Sequence, residues 1–274
     1  MSEELSRLAA ERFGSTADIA GDSPFARQML TRRSIRAFAE RPIPEALLQG
    51  VLAAGLSAPT KSDLQQVAVI RLGSKAQAAL AALVPQFPWV ARAAVCLVFC
   101  GDGRRIRRLA EEREHPFANE HLDSFMNAAV DAGIVLATTL YAAEAAGLGG
   151  CPVSEIRNRV GEVSALLSLP QHVFPLAALC LGWPAESPAL RQRLPPRVTL
   201  HEDRYDDRGL VAEVEAYDRA RAAAQPVPPE RQRNRERWGT ASLYGWSEER
   251  TRQYAEPARS DWGAYIRGQG FGLD

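Results

Sequence analysis

Apolar residues recur along this chain at two spacings. Where they fall three and four apart they line one face of a helix. That spacing predicts helices over Glu3 to Arg12, Pro44 to Leu56, Ser74 to Leu83, Gly103 to Glu114, Glu155 to Val160 and Leu210 to Ala223. A longer helix is predicted from Asn119 to Gly147, stopped by Gly147 and the Gly149-Gly150 pair. Elsewhere the apolar run is unbroken and short. Val67 to Leu72, Val95 to Cys100 and Val173 to Leu181 read as strands buried on both faces. The mixture is α+β or α/β, with no internal repeat and no heptad array. Gln225-Pro226-Val227-Pro228-Pro229 reads as a linker, which predicts a main domain over residues 1–224 and an arm over residues 225–274.

The long helix carries small residues on several faces, among them Ala128, Ala129, Ala132, Gly133, Ala137, Thr138, Ala142 and Ala143. At about 1.5 Å per residue its central stretch, Asp123 to Ala146, spans roughly 40 Å. Small faces of this kind suit a core helix in a monomer and suit equally a helix packed on its own copy across a two-fold axis.

Composition narrows the picture. The 274 residues are 46% hydrophobic, enough for a substantial core, and 33 basic residues balance 33 acidic ones. A neutral chain offers no field to draw in nucleic acid or an anionic membrane surface. No apolar run suggests a membrane span, and the acidic, helical start lacks an apolar signal region, so a soluble cytoplasmic protein is expected. Cys96, Cys100, Cys151 and Cys180 lack the paired spacing of a zinc site and read as small buried hydrophobes. His115, His121, His172 and His201 are scattered, and no metal is expected. Gly101-Asp102-Gly103 lacks the full glycine fingerprint of a dinucleotide fold and reads as a turn.

Three stretches carry candidate chemistry. Arg32-Arg33-Ser34-Ile35-Arg36 places three guanidiniums and a hydroxyl within five residues, more charge than can be buried without a polyanion. Pro59 to Gln65 is a polar loop running into a buried strand. Leu190-Arg191-Gln192-Arg193-Leu194-Pro195 spaces two arginines by one residue, so in an extended segment both can reach one anion. Arg32, Arg33, Arg36, Arg191 and Arg193 are expected to share a dianion.

The order and wording of these stretches resemble the flavin-dependent nitroreductase family, and more closely its oxygen-insensitive NADPH nitroreductase and flavin reductase branch. The resemblance runs through Ala58 to Gln65, Gln86, Ala91 to Cys100, Ala145 to Gly150 and Leu169 to Val173. It continues through Leu181-Gly182-Trp183-Pro184, Arg191 to Pro195, His201-Glu202, Tyr205 and the tail Tyr265 to Phe271. It implies an α+β nitroreductase-like fold: a small, mostly antiparallel sheet flanked by helices, with the long helix at a homodimer interface. It implies non-covalent FMN reduced by NADPH or NADH, with a nitroaromatic, quinone or flavin as acceptor in a ping-pong cycle. By the same resemblance, Arg32, Arg33, Ser34, Arg36, Arg191 and Arg193 hold the FMN phosphate and ribityl chain. Thr60, Lys61, Ser62, Asp63 and Gln65 lie beside the flavin, Gln86 near its polar edge, and Val153, Ser154 and Glu155 along the face of its reactive nitrogen. No side chain is expected to act as a nucleophile or obligatory acid, because the cofactor carries the reaction.

Departures from the branch bear on the pocket. Lys61 and Asp63 stand where small hydroxyl residues are common. Asp63 can accept a proton from the flavin ring but opposes negative charge on it, whereas Lys61 favours that charge. Ser154-Glu155 replaces a Gly-Gly pair and is expected to narrow the pocket. The arm carries Arg231, Arg233, Arg235 and Arg237, a cluster suited to the 2′-phosphate of NADPH and equally to a solvated linker. A related enzyme reducing carbon–halogen or activated C=C bonds, and a non-catalytic FMN-storage protein, fit the same motifs.

Overall fold

The computed structural model describes residues 2–14 and 23–274. In chain order the helices begin with α1 (Ser2–Phe13), α2 (Pro24–Thr31) and α3 (Glu45–Leu56). The first strand, β1 (Val67–Arg71), precedes α4 (Ser74–Leu83), β2 (Val95–Asp102), α5 (Arg104–Glu112) and α6 (Leu122–Ala145). Then come β3 (Gly149–Val153), α7 (Val160–Leu167), β4 (Val173–Gly182), α8 (Pro196–Thr199) and α9 (Leu210–Ala224). The chain closes with α10 (Arg235–Trp238), α11 (Trp246–Tyr254) and α12 (Trp262–Gly268).

These elements form two compact units, one of residues 1–33 and 189–258, the other of residues 34–188 and 259–274. The 225–229 linker lies inside the first unit, and the last sixteen residues belong to the second. The helix expected over Glu155 to Val160 is instead a 3-10 turn, Ser154–Arg159, with α7 beginning at Val160.

In the second unit the four strands pair antiparallel throughout, in the order β1-β2-β4-β3. Every residue of β2 is buried, which explains the unbroken apolar run from Val95 to Cys100. Alternate side chains leave opposite faces. Leu97 and Phe99 join Leu48 and Val51 of α3 and Val135 and Leu140 of α6 in one core layer. Cys96, Val98 and Cys100 join Leu80 of α4 and Val163 of α7 in the other. All four cysteines are buried and unbridged.

The helix α6 is long and apolar enough to cross a membrane by length and composition, and it instead forms the spine of this core. It ends as its sequence predicts. Gly147, at φ 81°, turns the chain left-handed, and the amides of Gly147 and Leu148 donate to Glu144 O (3.1 Å) and Ala143 O (3.0 Å). Its approach to α3 depends on Gly55, where an added Cβ would overlap Thr139. Gly55→Ala is therefore expected to lose about 1–3 kcal/mol, although on an open helix it would gain about 1 kcal/mol. Urea unfolding against Gly50→Ala, in the same helix with nothing within 4 Å of an added Cβ, checks this.

In the first unit, Ser23 caps α2 by accepting from the Ala26 amide (3.1 Å), with Pro24 at the first helical position. Asp218, buried on α9, accepts from the amides of Trp246 (2.6 Å) and Ser247 (3.1 Å), fixing the start of α11.

Candidate functional site

The first unit gathers an arginine cluster around a residue that sequence reasoning missed. Arg12, at the last turn of α1, is only 4% exposed. Its Nε donates to Leu30 O (2.9 Å), Nη1 to Arg191 O (2.8 Å), and Nη2 to Arg32 O (2.7 Å) and Met29 O (3.4 Å). One guanidinium thus ties the end of α2, the first arginine motif and the segment before α8. The Arg193 amide returns a bond to Arg12 O (2.7 Å). Burial, and then the charges of Arg193, Arg32 and Arg33, pull the Arg12 pKa down to about 10 from its ordinary 12.5, with Glu11 opposing.

Arg33 donates through Nη1 to Thr31 O (2.8 Å), but its Nε is buried without a partner, as is Oε1 of Gln192. An orphaned guanidinium N–H among like charges calls for an anion that accepts several hydrogen bonds. Arg191 contributes its carbonyl to Arg12, while its side chain lines a cleft of about 530 Å³ with Arg221, Arg231 and Arg233. Arg235 does not line that cleft. Arg237 pairs with Glu256 (2.6 Å) and stacks on Trp238.

In the second unit, Ser34 and Arg36 flank Ile35. The Ile35 amide donates to Gly150 O (3.1 Å), and its side chain fills the space a Cβ on Gly149 would need. Oε1 of Glu186 accepts from the amides of Arg36 (2.6 Å) and Ala37 (3.0 Å), leaving the exposed Arg36 side chain free to engage a ligand.

The polar loop of Thr60, Lys61, Ser62, Asp63 and Gln65 is unusual in its backbone. Ser62, Asp63 and Gln65 all adopt positive φ (50°, 57° and 51°), a region that residues other than glycine enter at a cost. Within the loop, Thr60 Oγ1 accepts from the Gln65 amide (3.3 Å) and Asp63 Oδ1 from Gln65 Nε2 (3.0 Å). Two residues to which the sequence reading gave no part in the site brace it. Asp131 of α6, fully buried, accepts from the amides of Lys61 and Gln66, both at 3.0 Å. Arg105 donates to Gln65 O (2.6 Å) and Val67 O (3.0 Å) and pairs with Asp102 (3.0 Å).

Gln86 and Glu155 meet directly. Gln86 Nε2 donates to Glu155 Oε1 (2.8 Å), which also accepts from Asn158 Nδ2 (2.6 Å). Arg259 lies 3.7 Å from the other carboxylate oxygen and donates to Asn158 Oδ1 (2.6 Å). The Glu155 carboxylate is thus committed to orienting Gln86. Val153 ends β3, and Ser154 opens the following turn.

An antiparallel sheet with a long core helix defines an α+β protein, and its first unit carries an arginine cluster suited to an anion. Residues 29–183 match the model of the nitroreductase family and residues 191–274 that of its C-terminal domain, and the chain belongs to that family. It is 36% identical over 197 residues to "FMN reductase [NAD(P)H]" of Bacillus subtilis, covering 70% of this chain and 79% of that protein. It is 37% identical over 193 residues to the oxygen-insensitive NADPH nitroreductase of Salmonella typhimurium, covering 69% and 79%. The solved NADPH:FMN oxidoreductase of Vibrio harveyi, complexed with NAD+, superposes with a TM-score of 0.78 at 31% identity over 90% of this chain and 98% of that one.

Proposed function

We propose that the protein is an FMN-dependent oxidoreductase that draws electrons from NADPH and delivers them to a nitroaromatic, quinone or free flavin. The observation that carries this reading is the first-unit cluster, in which Arg32, Arg33 and Arg193 crowd Arg12 and the Arg33 Nε is orphaned. A phosphate dianion, offering several acceptor oxygens, fits such a donor set. Relatives named for FMN and NAD(P)H support the choice of phosphate ester.

In this reading Arg32, Arg33, Arg191 and Arg193, with Ser34 and Arg36, hold the phosphate and the chain leading to it. The loop of Thr60, Lys61, Ser62, Asp63 and Gln65 takes the ring, as do Gln86 and the Val153-Ser154-Glu155 segment. Bound FMN supplies hydride acceptance from the nicotinamide and two-electron delivery to the acceptor. The protein's part is placement. Glu155 fixes the amide of Gln86 so that its carbonyl is presented in one orientation, and Lys61 sets a cation against the acidic Asp63.

The cleft lined by Arg191, Arg221, Arg231 and Arg233 is assigned to the 2′-phosphate of NADPH, a role that Arg235 and Arg237 do not share. Leu122, Met126 and Val130 are about half exposed at helical spacing along α6, an apolar stripe that a second copy of the chain would cover. Four buried cysteines that form no disulfide suit a reducing, cytoplasmic compartment.

Anaerobic titration of the FMN-loaded protein tests the reading. Stoichiometric NADPH is expected to bleach the visible flavin absorption, with a higher kcat/KM for NADPH than for NADH. A protein that binds FMN and is not bleached by either nucleotide would instead be a flavin-storage protein. Equal efficiency with both nucleotides would remove the 2′-phosphate assignment.

A further inference from the structure

The loop from Thr60 to Gln66 holds three non-glycine residues in left-handed conformation, and most of its side chains are exposed. Packing therefore does little to keep it in shape. Its backbone groups are answered instead by two charged side chains of opposite sign. Asp131 takes the amides at its two ends, Lys61 and Gln66, one on each carboxylate oxygen at 3.0 Å. Arg105 takes the carbonyls of Gln65 and Val67. An anion collects N–H groups and a cation collects C=O groups, while the Gln66 carbonyl accepts from the Asp102 amide at the end of β2 (3.0 Å).

Asp131 is the more telling of the two. It is fully buried in the middle of α6, and among the described residues no cation pairs with it. A carboxylate in such a place is costly, and an apolar side chain would fill the same helix face without that cost. Its two hydrogen bonds both go to the loop and none to its own helix. Strain in the loop and a buried charge beneath it are two independent observations, and each accounts for the other.

We infer that Asp131 is a positioning residue: its carboxylate staples Lys61 to Gln66 and holds the loop in the strained shape that presents Thr60, Lys61, Ser62 and Asp63 to the ligand. It touches no ligand itself. The inference rests on the FMN reading only for the identity of what the loop contacts.

The test compares wild type, Asp131→Asn, Lys61→Pro and Lys61→Ala. Asparagine keeps the shape but offers one acceptor oxygen, so one backbone N–H faces an amide N–H. Proline at position 61 deletes the donor while leaving Asp131 in place, and the extended Thr60 (φ −131°, ψ 159°) tolerates a following proline. Alanine at 61 removes only the lysine side chain. Amide exchange over residues 60–66 and FMN affinity by fluorescence quenching are read alongside thermal unfolding.

Asp131→Asn and Lys61→Pro are expected to speed exchange in the loop and to weaken FMN binding by about ten- to a hundredfold, whereas Lys61→Ala keeps wild-type loop exchange and loses only what its own side chain contributes to FMN binding. A lower unfolding temperature with unchanged loop exchange and FMN affinity would make Asp131 a stability residue and overturn the inference. If Asp131→Asn does not fold, Lys61→Pro against Lys61→Ala decides. If wild type binds no FMN, the functional reading fails, while loop exchange still judges the role of Asp131.

Discussion

Replacing Arg12 by methionine is expected to abolish retention of FMN and to destabilise the protein by about 3–5 kcal/mol. Methionine can fill much of the space of the aliphatic stem, so the loss isolates the guanidinium. Four carbonyls, those of Leu30, Met29, Arg32 and Arg191, lose their donor together. Each costs about 1–3 kcal/mol if left dry, and water entering the gap keeps the total below the sum. Part of the loss is returned because one of four crowded cations is gone.

That crowding has a direction. Arg12 titrates near 10 in the fold, below its ordinary value, so from about pH 10 up to that ordinary value the unfolded chain binds more protons than the folded one. Stability contributed by this group accordingly rises with pH across that window, and below about pH 10 the folded state bears the full electrostatic cost. A bound anion relieves that cost at neutral pH. FMN at a hundred times its Kd is expected to add about 2.7 kcal/mol to the wild type and little to Arg12→Met. Thermal unfolding with and without FMN measures both arms. An Arg12→Met protein that binds FMN with wild-type affinity would show that Arg12 does not set the arginine cluster in place.

Much of this was legible in the sequence, and the gaps have physical causes. The strands β2 and β4 stand out because both faces of the sheet are covered there, which makes most of their residues apolar; β1, at the sheet edge, is buried only at Val67 and ends in the exposed Arg71. That same uniformity hides their direction, since runs buried on both faces are typical of parallel sheets as well. β3 was invisible because Gly149-Gly150-Cys151-Pro152-Val153 reads as a helix stop followed by a turn. It is an edge strand, where Pro152 can sit without an amide. Its glycines are there for room: a Cβ on Gly149 would overlap Ile35, and one on Gly150 would strike Leu140 and Leu181.

The candidate site divides in the same way. The arginines announced themselves by charge density within a few residues. The residues that hold them and the loop in place did not. Arg12 looks like any basic residue near a helix C-terminus, where a cation is favourable without further purpose. Arg105 lies in a basic run that reads as a solvated helix face. Asp131 did leave a trace, as a lone carboxylate among Ala128, Ala132 and Val135 on the buried face of α6. A charge on the apolar stripe of a core helix is a signal in its own right. Glu155 has partners that the sequence did not announce. Its side chain, expected to narrow the pocket, is engaged with Gln86 and Asn158.

Removing Arg33 and Arg193 together is expected to erase a preference for FMN over riboflavin. The two ligands share the ring and the ribityl chain and differ only in the phosphate, so their affinity ratio reports on whatever holds that group. Arg33 offers a buried Nε with no partner, and Arg193 is the first of the charges pressing on Arg12. Each charge-assisted contact to phosphate contributes about 1.5–3 kcal/mol, so the double methionine variant should lose about a hundredfold or more in FMN affinity. Riboflavin, which never engaged these groups, should bind the variant about as well as the wild type. The variant should also relieve Arg12, so its free form should be no less stable than wild type. Binding of both ligands, followed by quenching of flavin fluorescence, separates the possibilities. If riboflavin weakens as much as FMN, the arginines support the shape of the site and not the phosphate. If neither weakens, the phosphate lies elsewhere, and the orphaned donor of Arg33 awaits a different anion.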